Sequence, residues 1–476
     1  MYDVLIIGAG VCGTLTAREL TRRGCSVCFA DKGPDAASGA SRANSGIVHA
    51  GFDAQNGTLK ARLNVEGCRM MPQVARELDV EYKPTPSLVV CLSEEDRPNL
   101  TALYERGIQN GVPGLRIVER DELRAMEPNI SEKAVAALYA PSAGIISPYE
   151  LAIAAGENAV QNGADYRFGF EVKSIAPCEG GYAVSDGQDT LYARFVVNAA
   201  GIFSDAIASL CDDCDFTLTP RKGEYMLFDK NVAGCVKNVL FPLPTKNGKG
   251  VLVAPTADGN MLIGQNAKVT EKEDTATEAK GLAEIHAQAK LLMPLLPPLS
   301  AVITSFAGVR PTPSTGDFII RPSKKYPHVL HLCGIESPGI ASSPAIAEYA
   351  VSLLEKMGLA LHENRAFNPC RKPVLRMREM SDEQRRKAIE ADAAYGKIIC
   401  RCETVTEGEI LDAIRRPMGA TTVDGVKRRT RAGMGRCQGG FCMPRVTDLL
   451  ARERKCDPCE IRKFDKESVL LIGKTK

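Results

Sequence analysis

Asp3-Val4-Leu5-Ile6-Ile7-Gly8-Ala9-Gly10-Val11-Cys12-Gly13, followed after one helix length by Ser26-Val27-Cys28-Phe29-Ala30-Asp31, is the stretch whose reading decides the fold. Asp3 to Ile7 is a short apolar run rich in branched side chains and stopped by glycine, the pattern of a buried parallel strand. Val11, Leu15 and Leu20 then recur at helical spacing up to Arg23, and a second strand over Ser26–Ala30 ends on Asp31. Strand, glycine turn, helix, strand and acid stand in the order a dinucleotide site requires. Gly8 permits the tight turn, Gly10 lets a pyrophosphate approach the backbone, and Gly13 lets helix and strand pack closely. The phosphates meet the helix N-terminus and the acid accepts from a ribose hydroxyl. The charge of Asp31 repels a 2′-phosphate, which leaves FAD or NAD.

Composition bounds the remainder. A chain of 476 residues holds about two to four domains. Its charge is balanced at +2, which points away from nucleic acid and from anionic membrane surfaces. No apolar run reaches transmembrane length, and the N-terminus enters its first strand too soon for a signal peptide. Seventeen cysteines therefore read as reduced thiols with room for a metal site, in a cytoplasmic protein that meets a membrane only through a partner.

Further along, Ser38 to Phe52 is small, polar and glycine-rich, with one histidine, His49. Such a loop can wrap a flat ring and bond its polar edge; it is equally the composition of a surface loop. Its core, Ser41-Arg42-Ala43-Asn44-Ser45-Gly46-Ile47-Val48-His49-Ala50-Gly51, resembles the flavin-facing loop of the D-amino-acid-oxidase-like flavoproteins. The likeness runs over about residues 1–360 and includes Lys60–Asn64, Arg221–Tyr225, Gly248–Val251, Phe306–Pro311 and Ser337–Ile340. It is strongest to the glycerol-3-phosphate oxidases and dehydrogenases, with the L-2-hydroxyglutarate dehydrogenases next.

The resemblance implies FAD. It implies flavin contacts from Ser41, Arg42, Asn44, Ser45 and Gly46, with Val172, Ala200 and Gly201 at the adenine half and a second flavin anchor at Asp317, Gly339 and Ile340. A helix starting near Gly339 would aim its N–H groups at the flavin edge. The resemblance also implies His49 as catalytic base, with Ser45, Lys249, Arg310 and Ser337 around the substrate.

The expected architecture is α/β and α+β: a Rossmann-like FAD-binding domain, an inserted antiparallel-sheet substrate domain and a small helical C-terminal [2Fe–2S] domain. The FAD-binding domain is expected over 1–85, 141–215 and 305–361, and the substrate sheet over 86–140 and 216–304, where strand-like runs such as Ser87–Leu92 and Val251–Pro255 are cut by turns. Ser147-Pro148 starts a helix through about Asn162. Residues 362–396 read as a linker whose charged run, Arg376–Lys387, is a solvated face, and 397–476 as the last domain.

That last domain opens with Cys400-Arg401-Cys402 and returns to Cys437-Gln438-Gly439-Gly440-Phe441-Cys442. Thr406 and Glu409 form a capping box between them, so a helix separates the two thiol pairs. Two thiolate pairs suit zinc or a [2Fe–2S] cluster, and C-x-C fits zinc knuckles less well. The pattern resembles the [2Fe–2S] domain of bacterioferritin-associated ferredoxin, which implies Cys400, Cys402, Cys437 and Cys442 as ligands. Lys427, Arg428, Arg429, Arg431 and Arg436 are expected either to offset the anionic cluster or to be surface charge. Cys211, Cys214, Cys456 and Cys459 have knuckle spacing but no evident partner pair and receive no role.

The resulting expectation is oxidation of sn-glycerol 3-phosphate, a small phosphorylated polyol, by FAD. Electrons would leave through the cluster to a protein acceptor subunit or quinone-linked acceptor. An L-2-hydroxy-acid dehydrogenase and a substrate-free electron-transfer or redox-sensing module are the alternatives. An imidazole beside the flavin favours catalysis, because its pKa lies near working pH.

Overall fold

A computed structural model of the chain describes residues 1–244 and 250–473. At its centre, strands Asp165–Phe168, Val27–Asp31, Tyr2–Ile7, Thr190–Asn198 and Val329–Cys333 run parallel in that order. Val4 and Ile6 face one layer of this sheet and Leu5 and Ile7 the other, and all four are buried. Both faces of a parallel strand are covered, which is why Val4 to Ile7 is apolar without alternation. Helices Val11–Arg22, Pro148–Gln161 and Gly339–Lys356 pack together on the first face. The hairpin Ser174–Cys178 and Gly181–Ser185 extends the early half of Thr190–Asn198.

The second large sheet has nine strands among the described residues. Its longest pair, Leu218–Phe228 with Val302–Pro313, is antiparallel and in register at Arg221–Arg310 and Tyr225–Phe306. Two findings refine the sequence-based picture. Val239–Pro242 pairs parallel with Ser87–Cys91, because two separate chain excursions meet there edge to edge. The strand Val302–Pro313 also runs unbroken through the expected boundary at residue 304, so one strand carries the sheet into the flavin unit.

Residues 362–396 are more than a linker. Arg371 is buried against Glu157 at 2.7 Å, and Arg376 pairs with Glu150 at 2.8 Å and Asp79 at 3.1 Å. Only the capped helix Asp382–Ala391, which has no buried residue, is the solvated face the charge pattern describes. Beyond it, helices Glu407–Arg415, Val423–Thr430 and Met443–Arg454 enclose their own apolar core. The capping box expected at Thr406 and Glu409 forms. No helix among the described residues is long and apolar enough to cross a membrane.

Candidate functional site

The dinucleotide turn is built as its glycines require. Gly8 has φ +113°, and a Cβ there would lie 2.3 Å from the Ala199 carbonyl oxygen. A Cβ on Gly13 would lie 1.9 Å from the Gly8 carbonyl oxygen, so helix and turn touch through backbone alone. Gly10 differs: only Ser41 Oγ comes near it, at 3.4 Å, leaving room for a phosphate. Ser41 Oγ accepts from Val11 N at 3.1 Å, and the later N–H groups of this first helical turn are the usual orphan donors for an anion.

Asp31 accepts from Ala9 N at 2.8 Å and Gly33 N at 2.7 Å, one bond to each oxygen. Burial raises its pKa and these two bonds work against the rise. A carboxylate has about four acceptor sites, so capacity for a ribose hydroxyl remains. The Ala200–Gly201 turn abuts Gly8, since Ala199 N donates to the Ile7 carbonyl at 2.9 Å. Phe170 N donates to the Asp31 carbonyl, bringing half-buried Val172 to the same strand end. These residues fit the adenosine and pyrophosphate of FAD.

At the flavin end, Gly339 and Ile340 are the first two residues of helix Gly339–Lys356. Asn44 Oδ1 accepts from Gly46 N at 2.8 Å and shapes the flavin-facing loop. Two expected flavin residues have another occupation. The Asp317 carboxylate accepts from Leu59 N, Lys60 N and Phe318 N, which makes it a cap for helix Leu59–Glu77. The Arg42 guanidinium lies 4.3 Å from the ring centroid of Phe464, toward the C-terminal domain.

His49 follows strand Ile47–Val48, and its ring centroid lies 5.5 Å from that of Phe241. Asn64 Nδ2 donates to the His49 carbonyl at 2.6 Å, fixing the backbone from helix Leu59–Glu77. His49, Lys60, Asn64, Glu336 and Ser337 line one cavity of about 260 Å³. Glu336 joins three elements there: it takes Lys60 Nζ at 2.8 Å and Thr312 Oγ1 at 2.8 Å, and its own loop carries Ser337. Thr312 is two residues from Arg310 on the same strand. Among the described residues Arg310 donates one bond, to the Asn266 carbonyl at 3.3 Å, and its buried Nε has no partner there. Tyr225 stacks on Phe306 and donates to Gln265 Oε1 at 2.5 Å. Burial pushes its phenol up to about 12, with Arg310 and Ser45 opposing. The expected residue Lys249 lies outside the described residues.

The four expected cluster ligands come together as two pairs. Cys402 Sγ is 3.7 Å from Cys437 Sγ, and the buried Cys400 bonds to Cys442. That bond draws Cys400 down to about 6, helped by the Gly433 and Glu403 N–H groups, and it holds the proton on Cys442. Burial would raise Cys437, but the N–H groups of Phe441 and Gly439 outweigh it. Among the described residues no three His, Cys, Asp or Glu side chains converge on a single metal ion. Two thiol pairs with N–H groups turned to sulfur fit a two-iron cluster, two thiolates to each iron. Cys211 is buried while Cys214 is exposed, and neither they nor Cys456 and Cys459 join a metal-sized group among the described residues.

The basic run beside the cluster has a role that neither sequence reading anticipated. Arg428 and Arg429 are buried and donate at 2.7–2.9 Å to Asp35, in the loop that follows the dinucleotide acid Asp31. Both arginines hold the Asp35 carboxyl below its ordinary value despite burial. Arg431 pairs with Asp258 of the large sheet at 2.6 Å and with buried Glu403 at 2.8 Å. Arg436 pairs with Asp229 at 2.9 Å. Phe464 lies under Arg42 and Arg428, so the C-terminal tail touches the flavin-facing loop. The bonds to Asp35, Asp258 and Asp229 are docking contacts between the cluster domain and both other units. A local pattern could not reveal them, because those three partners lie far away in the sequence.

A family model described as FAD dependent oxidoreductase matches residues 3–353, and one described as BFD-like [2Fe-2S] binding domain matches 398–452. A glycerol 3-phosphate dehydrogenase of Caloramator mitchellensis is 44% identical over 477 residues, covering 100% of this chain and 99% of that protein. A glycerol 3-phosphate oxidase of Mycoplasma genitalium is 33% identical over 77% of this chain and 97% of its own length. Among solved structures, dithionite-reduced L-alpha-glycerophosphate oxidase from Mycoplasma pneumoniae with FAD bound superposes with TM-score 0.73. It is 31% identical and covers 78% of this chain and 98% of that one.

Proposed function

The chain belongs to the FAD-dependent oxidoreductases and carries a BFD-like [2Fe–2S] binding domain, and from that premise we propose that it oxidises sn-glycerol 3-phosphate to dihydroxyacetone phosphate. The observation that carries the reading is Arg310, whose buried Nε has no partner beside Ser45 and Tyr225. A buried guanidinium donor without a partner is costly unless an anion takes it, and Arg matches a phosphate through paired bonds. Names of relatives covering the whole chain, or nearly all of their own length, support the same substrate.

FAD, when bound, supplies a two-electron hydride acceptor, and the cluster supplies a one-electron carrier. The protein's own residues do the rest. His49 accepts the proton of the substrate's secondary hydroxyl; Asn64 holds its backbone carbonyl and Phe241 lies beside its ring. Negative charge building on that oxygen is what loosens the hydrogen on the same carbon. Arg310 grips the phosphate, with Ser45 and Ser337 as neutral donors and Lys249 as a second cation. The Glu336 bridge keeps the Ser337 loop in register with the Arg310 strand. Phe52 and Phe241 supply apolar walls that limit water. Cys400, Cys402, Cys437 and Cys442 would hold the cluster, which would pass electrons singly to a partner.

The test is anaerobic mixing with glycerol phosphates and 2-hydroxy acids while flavin bleaching is followed. sn-Glycerol 3-phosphate should bleach fastest, and Arg310→Ala should abolish bleaching. Lys249→Ala should weaken glycerol 3-phosphate far more than any 2-hydroxy acid. His49→Gln should slow bleaching by about two to four orders of magnitude with FAD retained. Preference for a dicarboxylate, with Lys249→Ala silent, would replace the substrate.

A further inference from the structure

The cluster domain turns its two thiol pairs in different directions. Cys400 and Cys442 are 1% and 2% exposed, whereas Cys402 is exposed and Cys437 half-buried. Next to this outward pair stands Phe441, 85% exposed and one residue from Cys442. No other phenylalanine among the described residues is exposed. Arg401, Arg436 and Arg445 are exposed around the same loops, and Asp448 is the one exposed acid in 398–404 and 434–448. Arg436 is tied to Asp229, but Arg401 and Arg445 make no ion pair among the described residues. Arg428, Arg429 and Arg431, which reach Asp35 and Asp258, are a separate, buried set.

We infer that this face, Cys402 and Phe441 with Arg401 and Arg445, docks an acidic one-electron carrier protein. The inference rests on the electron route proposed above. Electron transfer weakens steeply with distance, so a carrier must press its redox group against the exposed thiol pair. Phe441 is an apolar anchor at that point, and the arginines select and steer a partner of opposite charge. A membrane surface fits less well. The helix Met443–Arg454 spends Val446, Leu449 and Leu450 on its own core, leaving a single aromatic to insert. The step moves one electron from the reduced cluster to the oxidised carrier, with no bond made or broken.

The experiment uses holoprotein whose cluster has been reduced by dithionite, mixed with the oxidised acidic haem domain of cytochrome b5 or with basic cytochrome c. Cluster absorbance reports transfer, and calorimetry with the oxidised proteins reports binding. At low ionic strength the acidic carrier should react at least about ten-fold faster than the basic one, and added salt should erase the difference. Arg401→Glu with Arg445→Glu should slow it about ten-fold and weaken binding, and Phe441→Ala several-fold. Iron, sulfide and substrate-driven flavin bleaching should be unchanged in both variants. Equal rates with both carriers, silent charge reversal, or binding to phosphatidylglycerol vesicles in place of the acidic protein would each overturn the inference. Dithionite bypasses the substrate, so failure of glycerol 3-phosphate to reduce the cluster would strike the proposed function and leave this face standing.

Discussion

Around the dinucleotide turn, Tyr2–Ile7 is fastened by parallel neighbours, buried aliphatic side chains and backbone contact between Gly8, Gly13 and Ala199. Where helix Val423–Thr430 meets the same turn's far side, the fastening is ionic: Arg428 and Arg429 on Asp35, with Arg431 on Asp258 and Glu403. The first region is non-directional and tolerates little change in volume. The second is directional, and its cost of charge burial is repaid only while every partner stays. One joint forms with the fold; the other sets where a finished domain sits.

The largest effect expected from breaking this contrast is at Gly13. An Ala there puts a Cβ within 1.9 Å of a carbonyl oxygen that has nowhere to go, so the variant should lose FAD entirely and lower the main unfolding transition. Its cluster domain, which has its own core, should still hold iron.

Next in size is Asp35→Ala, which leaves two buried guanidinium groups uncompensated and should destabilise the docked state by about 3–5 kcal/mol. Calorimetry should then resolve two transitions where the unmodified protein is expected to give one, with FAD still bound. Acid should do the same to the unmodified protein. The Asp35 carboxyl is held below its ordinary 3.8, so its contribution is full above that pH and is lost as pH falls through the lower folded value. Release of the cluster domain is therefore expected below about pH 4 and not on the alkaline side.

The asymmetry also explains what the sequence disclosed. Hydrophobic runs, glycines, a capping box and a cysteine pattern are local, and they made the first strand, the helix at Glu407 and the four thiols readable. Resemblance supplied the flavin loop. Asp35 and Phe464 carry no local signal, and Arg428 to Arg431 look like solvated charge until the fold brings carboxylates from residues 35, 157, 258 and 403 against them. The protein partners of Asp317 and Arg42 were hidden for the same reason, since a turn-to-strand acid and a loop arginine leave such partners unspecified.

A smaller effect sharpens the contrast at the one place the regions touch through the tail. Phe464→Ala removes the ring between Arg42 and Arg428 and should cost about 0.5–2 kcal/mol, a cation–π contribution, without changing flavin bleaching by substrate. Thermal unfolding at matched salt would measure it.

Hydride chemistry beside His49 is expected to feed single electrons into the cluster domain. Rapid anaerobic mixing of holoprotein with sn-glycerol 3-phosphate, followed by freeze-quenched paramagnetic resonance, tests it most directly. The account expects flavin bleaching first and a reduced-cluster signal after it, with both lost in His49→Gln and only the second lost in Cys437→Ser. Bleached flavin beside a cluster that stays oxidised, or full bleaching in His49→Gln, would contradict it.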